Sequence, residues 1–240
     1  MSDALIIVPT YNESESLPTV LDRILAASPD VDILVIDDNS PDGTGSLADG
    51  FASQMPRVHV LHRDRKSGLG PAYIAGFRWA FARDYEWIVE IDADGSHDPA
   101  VIPTLLGIAR GVTADLVIGS RWVRGGRVDG WSVVRQMISR AGNSYARLAL
   151  RSQINDMTAG FRVLRVDKLR ELHLETIASS GYCFQIEIAD RVESDGGTVI
   201  EHPITFIERA SGTSKMHLGI VVEAFARITG WGISRWLRGR

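Results

Sequence analysis

The sequence contains very little cysteine and no long hydrophobic run. Cys183 is the only cysteine among the 240 residues, so an internal disulfide and a cysteine-rich zinc site are excluded. No apolar run approaches the ~20 residues of a membrane-spanning helix, and the apolar N-terminus is too short for a secretory signal. We therefore expect a protein of a reducing compartment, located in the cytoplasm.

An excess of positive charge is also missing. The chain has 26 Lys and Arg against 30 Asp and Glu, which gives a net charge of -4, and no global basic field would attract nucleic acid. The positive charge is nevertheless concentrated. Residues 121–151 contain seven arginines and one aspartate, and residues 209–240 contain six basic residues and one glutamate. An anionic ligand or surface would therefore meet positive charge in the C-terminal half.

Several common enzyme motifs are absent. The segment Lys66–Gly70 lacks the third glycine of a dinucleotide-binding loop and the Gly-Lys-Ser/Thr ending of a P-loop. The sequence also has no His-Glu-x-x-His motif and no Gly-x-Ser-x-Gly nucleophile elbow. These absences count against a dinucleotide oxidoreductase and a P-loop ATPase.

The first half alternates short apolar runs with segments of helical periodicity. The predicted strands are Ala4–Val8, Asp32–Ile36, Val58–Leu61, Trp87–Ile91 and Leu116–Ile118, and the predicted helices are Leu17–Ala26, Ser46–Gln54, Ala72–Arg83 and Val101–Ala109. This order predicts an α/β fold with a mostly parallel twisted sheet flanked by helices and a Rossmann-like N-terminal half.

The pattern changes beyond Gly130. It predicts helices at Val133–Leu150 and near Phe184–Val192, strands at Thr198–Ile200 and Ile204–Ile207, and an amphipathic segment from Leu218 to Leu237. No stretch rich in Pro, Gly or Ser divides the chain, so we expect residues 1–240 to form a single domain.

Two carboxylates follow the fourth predicted strand. Asp92 and Asp94 are at positions i and i+2, which face the same side of an extended segment, so both can approach one cation. Their hard oxygen atoms suit Mg²⁺ or Mn²⁺ shared with substrate phosphates. An exposed acidic turn is the alternative. His97 is a possible ligand, although a histidine in a loop is more often solvated.

Polar side chains also follow the first two strands, at Pro9–Glu13 and Asp37–Thr44. Aromatic and acidic side chains there can stack on a base and hydrogen-bond a ribose, whereas turn formation and helix capping are the alternative. Ligands of open α/β sheets bind outside the carboxyl ends of the strands. We therefore expect these loops to meet in one crevice.

Eight sequence blocks point to a family. In chain order they are IIVPTYNE, VIDDNSPDGT, KSGLGPAYIAGF, EIDADGSHDP, VIGSRW, DMTAGFRVLR, SGYCFQIEI and ERASGTSK. With these blocks, the chain resembles the dolichyl-phosphate and polyprenyl-phosphate mannose synthases, which are inverting glycosyltransferases with the GT-A nucleotide-sugar fold. The resemblance covers nearly the whole chain, and the later blocks are the more particular to this family.

The resemblance implies roles for individual residues. It implies metal binding by Asp92, Asp94 and Ser96, although some members have Gln at the position of Ser96, and a catalytic part for Asp92, Asp94 and Arg121. The nucleotide sugar would contact Pro9, Tyr11, Glu13, Ile36, Asp38, Asp92, Ala93, Asp94, Arg121, Arg209 and Lys215. The acceptor phosphate would contact Arg121, Arg135 and Ser139. Residues 1–120 would then form the donor half and residues 121–217 the acceptor half.

The family reaction moves mannose from GDP-mannose to the phosphate of a polyprenyl lipid with inversion and with help from a metal. A phosphate oxyanion is already a nucleophile at neutral pH, so a strong general base is not required. One alternative is a polyprenyl-phosphate glucosyltransferase that uses UDP-glucose. Another is a non-catalytic module that binds nucleotide sugars.

The last segment, residues 218–240, combines apolar, aromatic and basic residues. Its apolar stripe comprises Ile220, Val221, Ala224, Phe225, Ile228 and Trp231, and further along Trp231 and Trp236 alternate with Arg235, Arg238 and Arg240. This pattern predicts peripheral docking on the cytoplasmic face of a membrane. Packing of the stripe on the protein core is the alternative. A separate membrane-anchoring protein is a further possible partner.

Overall fold

A computed structural model describes residues 2–177, 179, 181–208 and 218–237. The strands are β1 (Ala4–Thr10), β2 (Asp32–Asp37), β3 (Val58–His62), β4 (Trp87–Glu90), β5 (Leu116–Ser120), β6 (Arg127–Asp129), β7 (Arg162–Arg165), β8 (Val199–Pro203) and β9 (Thr205–Ile207). The α-helices are α1 (Leu17–Ala27), α2 (Thr44–Gln54), α3 (Leu69–Phe81), α4 (Ile102–Val112), α5 (Val133–Leu150), α6 (Val166–Glu171), α7 (Tyr182–Ser194) and α8 (Leu218–Leu237).

Within the described ranges, seven strands form one sheet in the order β3-β2-β1-β4-β7-β5-β8. The first four strands of this order are parallel, and β5 is parallel to β8. β7 runs antiparallel between β4 and β5, while β6 and β9 form a separate parallel pair. The expected α/β fold with a mostly parallel sheet is therefore confirmed.

The central antiparallel strand was not predicted, nor were β6 and α6. β7 has the sequence Arg-Val-Leu-Arg, and polar residues at both of its ends argue against a buried strand. Arg162 is nevertheless fully buried. The prediction failed because the partners that satisfy this guanidinium come from loops and a helix elsewhere in the chain.

Both faces of the sheet are covered, which explains the continuous apolar runs in its strands. Along β1, Leu5 and Ile7 enter the core on one face, with α3, α5 and α7. Ile6 and Val8 enter the core on the opposite face, with α1 and α4. The strands are thereby fixed so that their carboxyl ends open on one edge.

Helix α8 docks on α5 and α7 through close backbone and polar contacts. Gly232 faces α5, and a Cβ added there would lie 2.8 Å from the Ala149 carbonyl oxygen. Arg235 Nη2 donates to Asp190 Oδ1 at 2.8 Å. None of the helices described is both long and apolar enough to cross a membrane.

The docking of α8 predicts opposite effects for two glycines of the same helix. Gly232→Ala should lower the free energy of unfolding by about 1–3 kcal/mol, because the methyl group meets a backbone oxygen that cannot rotate away. Gly230→Ala should be neutral or stabilising by up to ~1 kcal/mol, since open space surrounds that position and alanine favours the helix. Urea unfolding of both variants tests this, and equal stabilities would contradict the packing described.

Candidate functional site

The two aspartates of the Asp-x-Asp pair lie where the central strand β4 ends. Asp92 and Asp94 line one small cavity of about 70 Å³. The other residues that line it are Leu69, Ser96, His97, Arg121, Trp131, Arg135, Thr158, Gly160, Gln185, Phe206 and Glu208. The cavity thus brings carboxylates from the first half of the chain against guanidinium groups from the second half.

A tight turn holds the second aspartate. Gly95 has a φ of +76°, a backbone conformation that glycine adopts without strain. Asp94 Oδ1 accepts a hydrogen bond from the Ser96 backbone N–H at 3.0 Å. Ser96 itself is 1% exposed, and this contact with Asp94 comes from its backbone N–H.

The first aspartate faces a buried histidine and a glycine. His97 Nε2 lies 3.5 Å from Asp92 Oδ2, and the imidazole packs between the rings of Phe161 and Phe206, each 5.2 Å away. The expectation of a solvated His97 is therefore wrong, because rings distant in sequence cover it. A Cβ at Gly160 would lie 3.3 Å from Asp92 Oδ2, so glycine keeps this space open.

A buried polar layer lies beneath the aspartates. Glu90 and Arg162 are directly opposite each other on β4 and β7, and both are fully buried. Burial raises the pKa of Glu90 to about 7, although the Arg162 guanidinium and the neighbouring Gln185 amide oppose this shift. Burial also lowers the pKa of Arg162 to about 10, and Glu90 opposes that shift. Sequence reasoning missed both residues.

Arg162 organises the segment on the acceptor side of the cavity. Its guanidinium donates to the carbonyl oxygens of Met157 at 2.6 Å, Ala159 at 2.7 Å and Gln185 at 2.7 Å. These bonds fix the loop that places Thr158 and Gly160 in the cavity wall.

Arg121 lines the cavity but is supported from behind. Its Nε and Nη2 donate to the two carboxylate oxygens of Asp156 at 2.8 and 2.6 Å, and Nη2 also donates to Thr158 Oγ1 at 2.8 Å. Asp156 has no exposed surface. The guanidinium is therefore held in a fixed, bidentate orientation.

The other cavity arginine belongs to the first turn of α5. Ser132 caps this helix by accepting from the Arg135 backbone N–H at 3.3 Å. The Arg135 guanidinium lies 4.0 Å from the centroid of the Trp131 ring and forms an ion pair with Glu208. Ser139 is half-buried one turn further along α5 and is not part of the cavity wall.

The loops after β1 and β2 contact each other, and their residues do not line this cavity. Asp38 is 5% exposed and accepts from Arg63 Nη1 at 2.7 Å and from the Ser67 backbone N–H at 3.1 Å. The Lys66 ammonium lies 4.0 Å from the centroid of the Tyr11 ring. The Glu13 backbone N–H donates to Thr44 Oγ1 at 2.9 Å, and its carboxylate accepts from Ser16 Oγ at 3.1 Å.

The remaining predicted site residues contribute differently or are not described. Ile36 and Ala93 have buried side chains that belong to the core, so they can offer a ligand only backbone atoms. Pro9 is half-buried at the end of β1. Arg209 and Lys215 lie outside the described residues.

Two of the larger surface clefts that the described residues form lie away from the aspartates. A cleft of about 900 Å³ lies between α7 and α8, and one of about 1050 Å³ lies at the amino ends of the strands. Neither is lined by Asp92 or Asp94. Size alone therefore does not identify the site, whereas the convergence of aspartates, arginines and strand ends does.

The mostly parallel sheet carries an Asp-x-Asp pair at the end of a central strand, and arginines face this pair across the cavity. This arrangement defines the class of nucleotide-sugar glycosyltransferases. The family model "Glycosyl transferase family 2" matches residues 5–173. The chain belongs to this family.

Two curated relatives match over almost the whole chain. An undecaprenyl-phosphate mannosyltransferase of Micrococcus luteus is 53% identical over 239 residues, which cover 98% of both chains. A polyprenol monophosphomannose synthase of Mycolicibacterium smegmatis is 49% identical over 237 residues, covering 98% of this chain and 88% of the relative. The resemblance to polyprenyl-phosphate mannose synthases is thereby confirmed.

Solved structures confirm the GT-A fold. Glucosyl-3-phosphoglycerate synthase of Mycobacterium tuberculosis, in complex with phosphoglyceric acid, aligns with a TM-score of 0.69 and 19% identity over 97% of this chain and 79% of its own. The Pyrobaculum calidifontis mannosyltransferase PcManGT, in complex with GDP-Man and Mn²⁺, aligns with a TM-score of 0.61 and 17% identity over 98% of this chain and 64% of its own.

The bidentate pair between Arg121 and Asp156 predicts that loss of the Asp156 charge strongly lowers the free energy of unfolding. Asp156→Asn should lower the free energy of unfolding by about 3–5 kcal/mol, because it leaves a buried guanidinium without its counter-charge. Asp98→Asn is the matched control, since it removes a half-exposed partner of Arg23 and should cost about 0–1 kcal/mol. If chemical denaturation gives the two variants the same stability, the Arg121–Asp156 pair does not have this role.

Proposed function

We propose that this protein transfers mannose from GDP-mannose to the phosphate of a polyprenyl lipid, with inversion at the anomeric carbon. The observation that carries the proposal is a single cavity lined by Asp92, Asp94, Arg121 and Arg135. Such a cavity offers carboxylates for a cation and guanidinium groups for phosphates. The names of the two curated relatives support the same acceptor class and the same sugar.

The donor set of the cavity fits a hard divalent cation. Asp92 and Asp94 supply carboxylate oxygens, the ligands that Mg²⁺ and Mn²⁺ prefer, and the backbone N–H of Ser96 keeps Asp94 oriented. When bound, the ion supplies positive charge that stabilises the departing diphosphate. PcManGT and glucosyl-3-phosphoglycerate synthase were solved with Mn²⁺ and a nucleotide sugar, which supports a divalent metal here.

The donor half in this proposal is residues 1–120. Tyr11 and Asp38 bind the nucleoside from the loops after β1 and β2, together with Pro9 and Glu13. Ile36 and Ala93 contribute through backbone atoms. These loops surround the carboxyl ends of β1, β2 and β4, where ligands of open α/β sheets bind.

The acceptor half in this proposal is residues 121–217. Arg209 and Lys215 belong to this half of the chain but contact the nucleotide sugar. Arg121 and Arg135 hold the acceptor phosphate, with Ser139 as a further contact. The oxyanion of that phosphate attacks the anomeric carbon directly, so these residues need only align it and screen its charge.

Removal of one aspartate tests the metal role. Asp94→Ala should lower the transfer rate at least ~10²-fold, because an interaction with the charge that develops in the transition state is lost. It should also weaken Mn²⁺ binding measured by electron paramagnetic resonance. Asp98→Ala, four residues later in the same loop and outside the cavity, is the matched control. Full activity of Asp94→Ala in EDTA would overturn the metal role.

A direct comparison of three nucleotide sugars tests which donor the protein uses. Radiolabelled GDP-mannose, GDP-glucose and UDP-glucose are each offered with polyprenyl phosphate, and label is followed into the lipid phase. The proposal expects label from GDP-mannose. Label from UDP-glucose would favour the glucosyltransferase, and binding of all three without transfer or hydrolysis would favour the non-catalytic module.

We also propose that the protein attaches to the cytoplasmic face of a membrane without crossing it. Helix α5 carries an exposed apolar stripe at helical spacing, formed by Val133, Val134, Met137, Ile138 and Leu148, which are 58–75% exposed. Arg140 and Arg147 flank this stripe. A helix with an apolar face and flanking cations suits an anionic membrane surface.

Helix α8 exposes fewer apolar side chains for membrane binding than its sequence predicts. Ile228 is 3% exposed, so the expectation that this residue meets the membrane is wrong. Trp231 is half-buried and packs partly against the core. Phe225, Ile233 and Trp236 are exposed. The side chains of Ile220, Val221 and Ala224, and all of Arg238 and Arg240, lie outside the described residues. A separate anchoring protein would use the same exposed stripe of α5.

Vesicle binding tests this surface. Met137→Ser combined with Leu148→Ser should reduce co-sedimentation with anionic phospholipid vesicles at low salt, because two exposed apolar groups of the stripe are lost. Leu47→Ser combined with Val112→Ser is the matched control, since these exposed side chains belong to α2 and α4. Equal co-sedimentation of the two double variants would show that the stripe of α5 does not bind the membrane.

A further inference from the structure

Arg135, the cavity arginine on α5, already forms an ion pair with a carboxylate of the same chain. Glu208 forms an ion pair with Arg135 and lines the same cavity as Asp92 and Asp94. The Arg135 guanidinium also lies 4.0 Å from the centroid of the Trp131 ring. A carboxylate is therefore bound to the cation to which the proposed function assigns an acceptor phosphate.

Backbone contacts fix the position of Glu208. Its N–H donates to the Asp129 carbonyl oxygen at 2.9 Å, and the N–H of Ile207 donates to the Ser96 carbonyl oxygen at 3.0 Å. Gly130 has a φ of +89°, and a Cβ there would lie 2.8 Å from the Glu208 Cβ. The chain thus places Glu208 against Arg135 independently of the ion pair.

The ion pair between Arg135 and Glu208 is weak enough for an incoming phosphate to displace Glu208. The Arg135 side chain is 28% exposed and the Glu208 side chain 42%, and ion pairs with such exposure contribute little. A phosphate monoester carries nearly two negative charges and three acceptor oxygens, so it binds a guanidinium more strongly than a carboxylate does. The acceptor phosphate can therefore displace Glu208.

We propose that Glu208 is an internal competitor that sets the affinity of the cavity for its acceptor. It pairs with Arg135, yields to the acceptor phosphate, and pairs again as the glycosylated product leaves. This inference rests on the proposed function, in which Arg135 binds that phosphate. A competitor that weakens the binding of the acceptor and of the transition state equally leaves the chemical step unchanged. Weaker binding of the product favours its release. Glu208 thus changes the acceptor affinity by occupying Arg135 and is not a catalytic residue.

The test is direct binding of farnesyl phosphate in the presence of GDP and Mg²⁺, where no sugar is available for transfer. Glu208→Gln removes the charge and keeps the shape of the side chain. Isothermal titration should give a Kd about two- to fivefold lower than that of the wild type, which corresponds to the loss of a partly exposed ion pair. A role limited to orienting Arg135 predicts the opposite sign, so an unchanged or higher Kd overturns the inference.

A matched control removes another carboxylate of the same kind. Asp3 is 44% exposed and pairs with Arg110, at the amino end of β1 and away from the cavity. Asp3→Asn should leave the Kd for farnesyl phosphate unchanged. A decrease equal to that of Glu208→Gln would mean that net charge alone is responsible, which overturns the inference.

A double variant separates this inference from the proposed function. Arg135→Gln should raise the Kd at least ~10-fold, because a charge-assisted contact with phosphate is lost. Glu208→Gln should have no additional effect in that background, and an effect that persists there overturns the inference. If Arg135→Gln leaves the Kd unchanged, the acceptor site of the proposed function fails. If it raises the Kd and Glu208→Gln does not lower it, only the internal competitor fails.

Discussion

The guanidinium of Arg162 is the group on which the acceptor side of the cavity depends. Arg162 belongs to β7, the antiparallel strand beside the central strand β4. Its guanidinium donates to three backbone carbonyls, two from the preceding loop and one from α7. Backbone carbonyls buried without partners are costly, and one arginine satisfies three of them. The loop that carries Asp156, Thr158 and Gly160 is thereby fixed to the sheet.

Two further features of the cavity depend on this loop. Asp156 orients Arg121 through a bidentate pair, and Gly160 leaves space beside Asp92. Glu90 lies beside Arg162 on the neighbouring strand, so the charge of the arginine has a buried counterpart. A carboxylate and a guanidinium therefore lie opposite each other, both fully buried, within the sheet.

The first half of the chain was predictable because its signals are local. Apolar runs, helical periodicity and polar strand ends recur within each βα unit, and parallel strands open on the same edge. Those rules placed Asp92 and Asp94 at a central strand end. They also placed Tyr11 and Asp38 in neighbouring loops.

The second half was less predictable because its elements depend on distant partners. β7 is short and polar at its ends, and only the register with β4 and β5 makes it a strand. His97 is buried by Phe161 and Phe206. Arg135 is paired with Glu208, which lies much later in the sequence. No local pattern contains these pairings.

The sequence by itself determined the α/β class, the order of the βα units and the Asp-x-Asp pair, because each of these rests on short-range periodicity or on neighbouring residues. The tertiary structure decided which cations face the aspartates and which carboxylates hold those cations. It also decided which side of α8 the core covers and that the apolar stripe of α5 is exposed. The physical reason is that burial and ion pairing depend on what the rest of the fold brings close, and spacing along the chain does not record that.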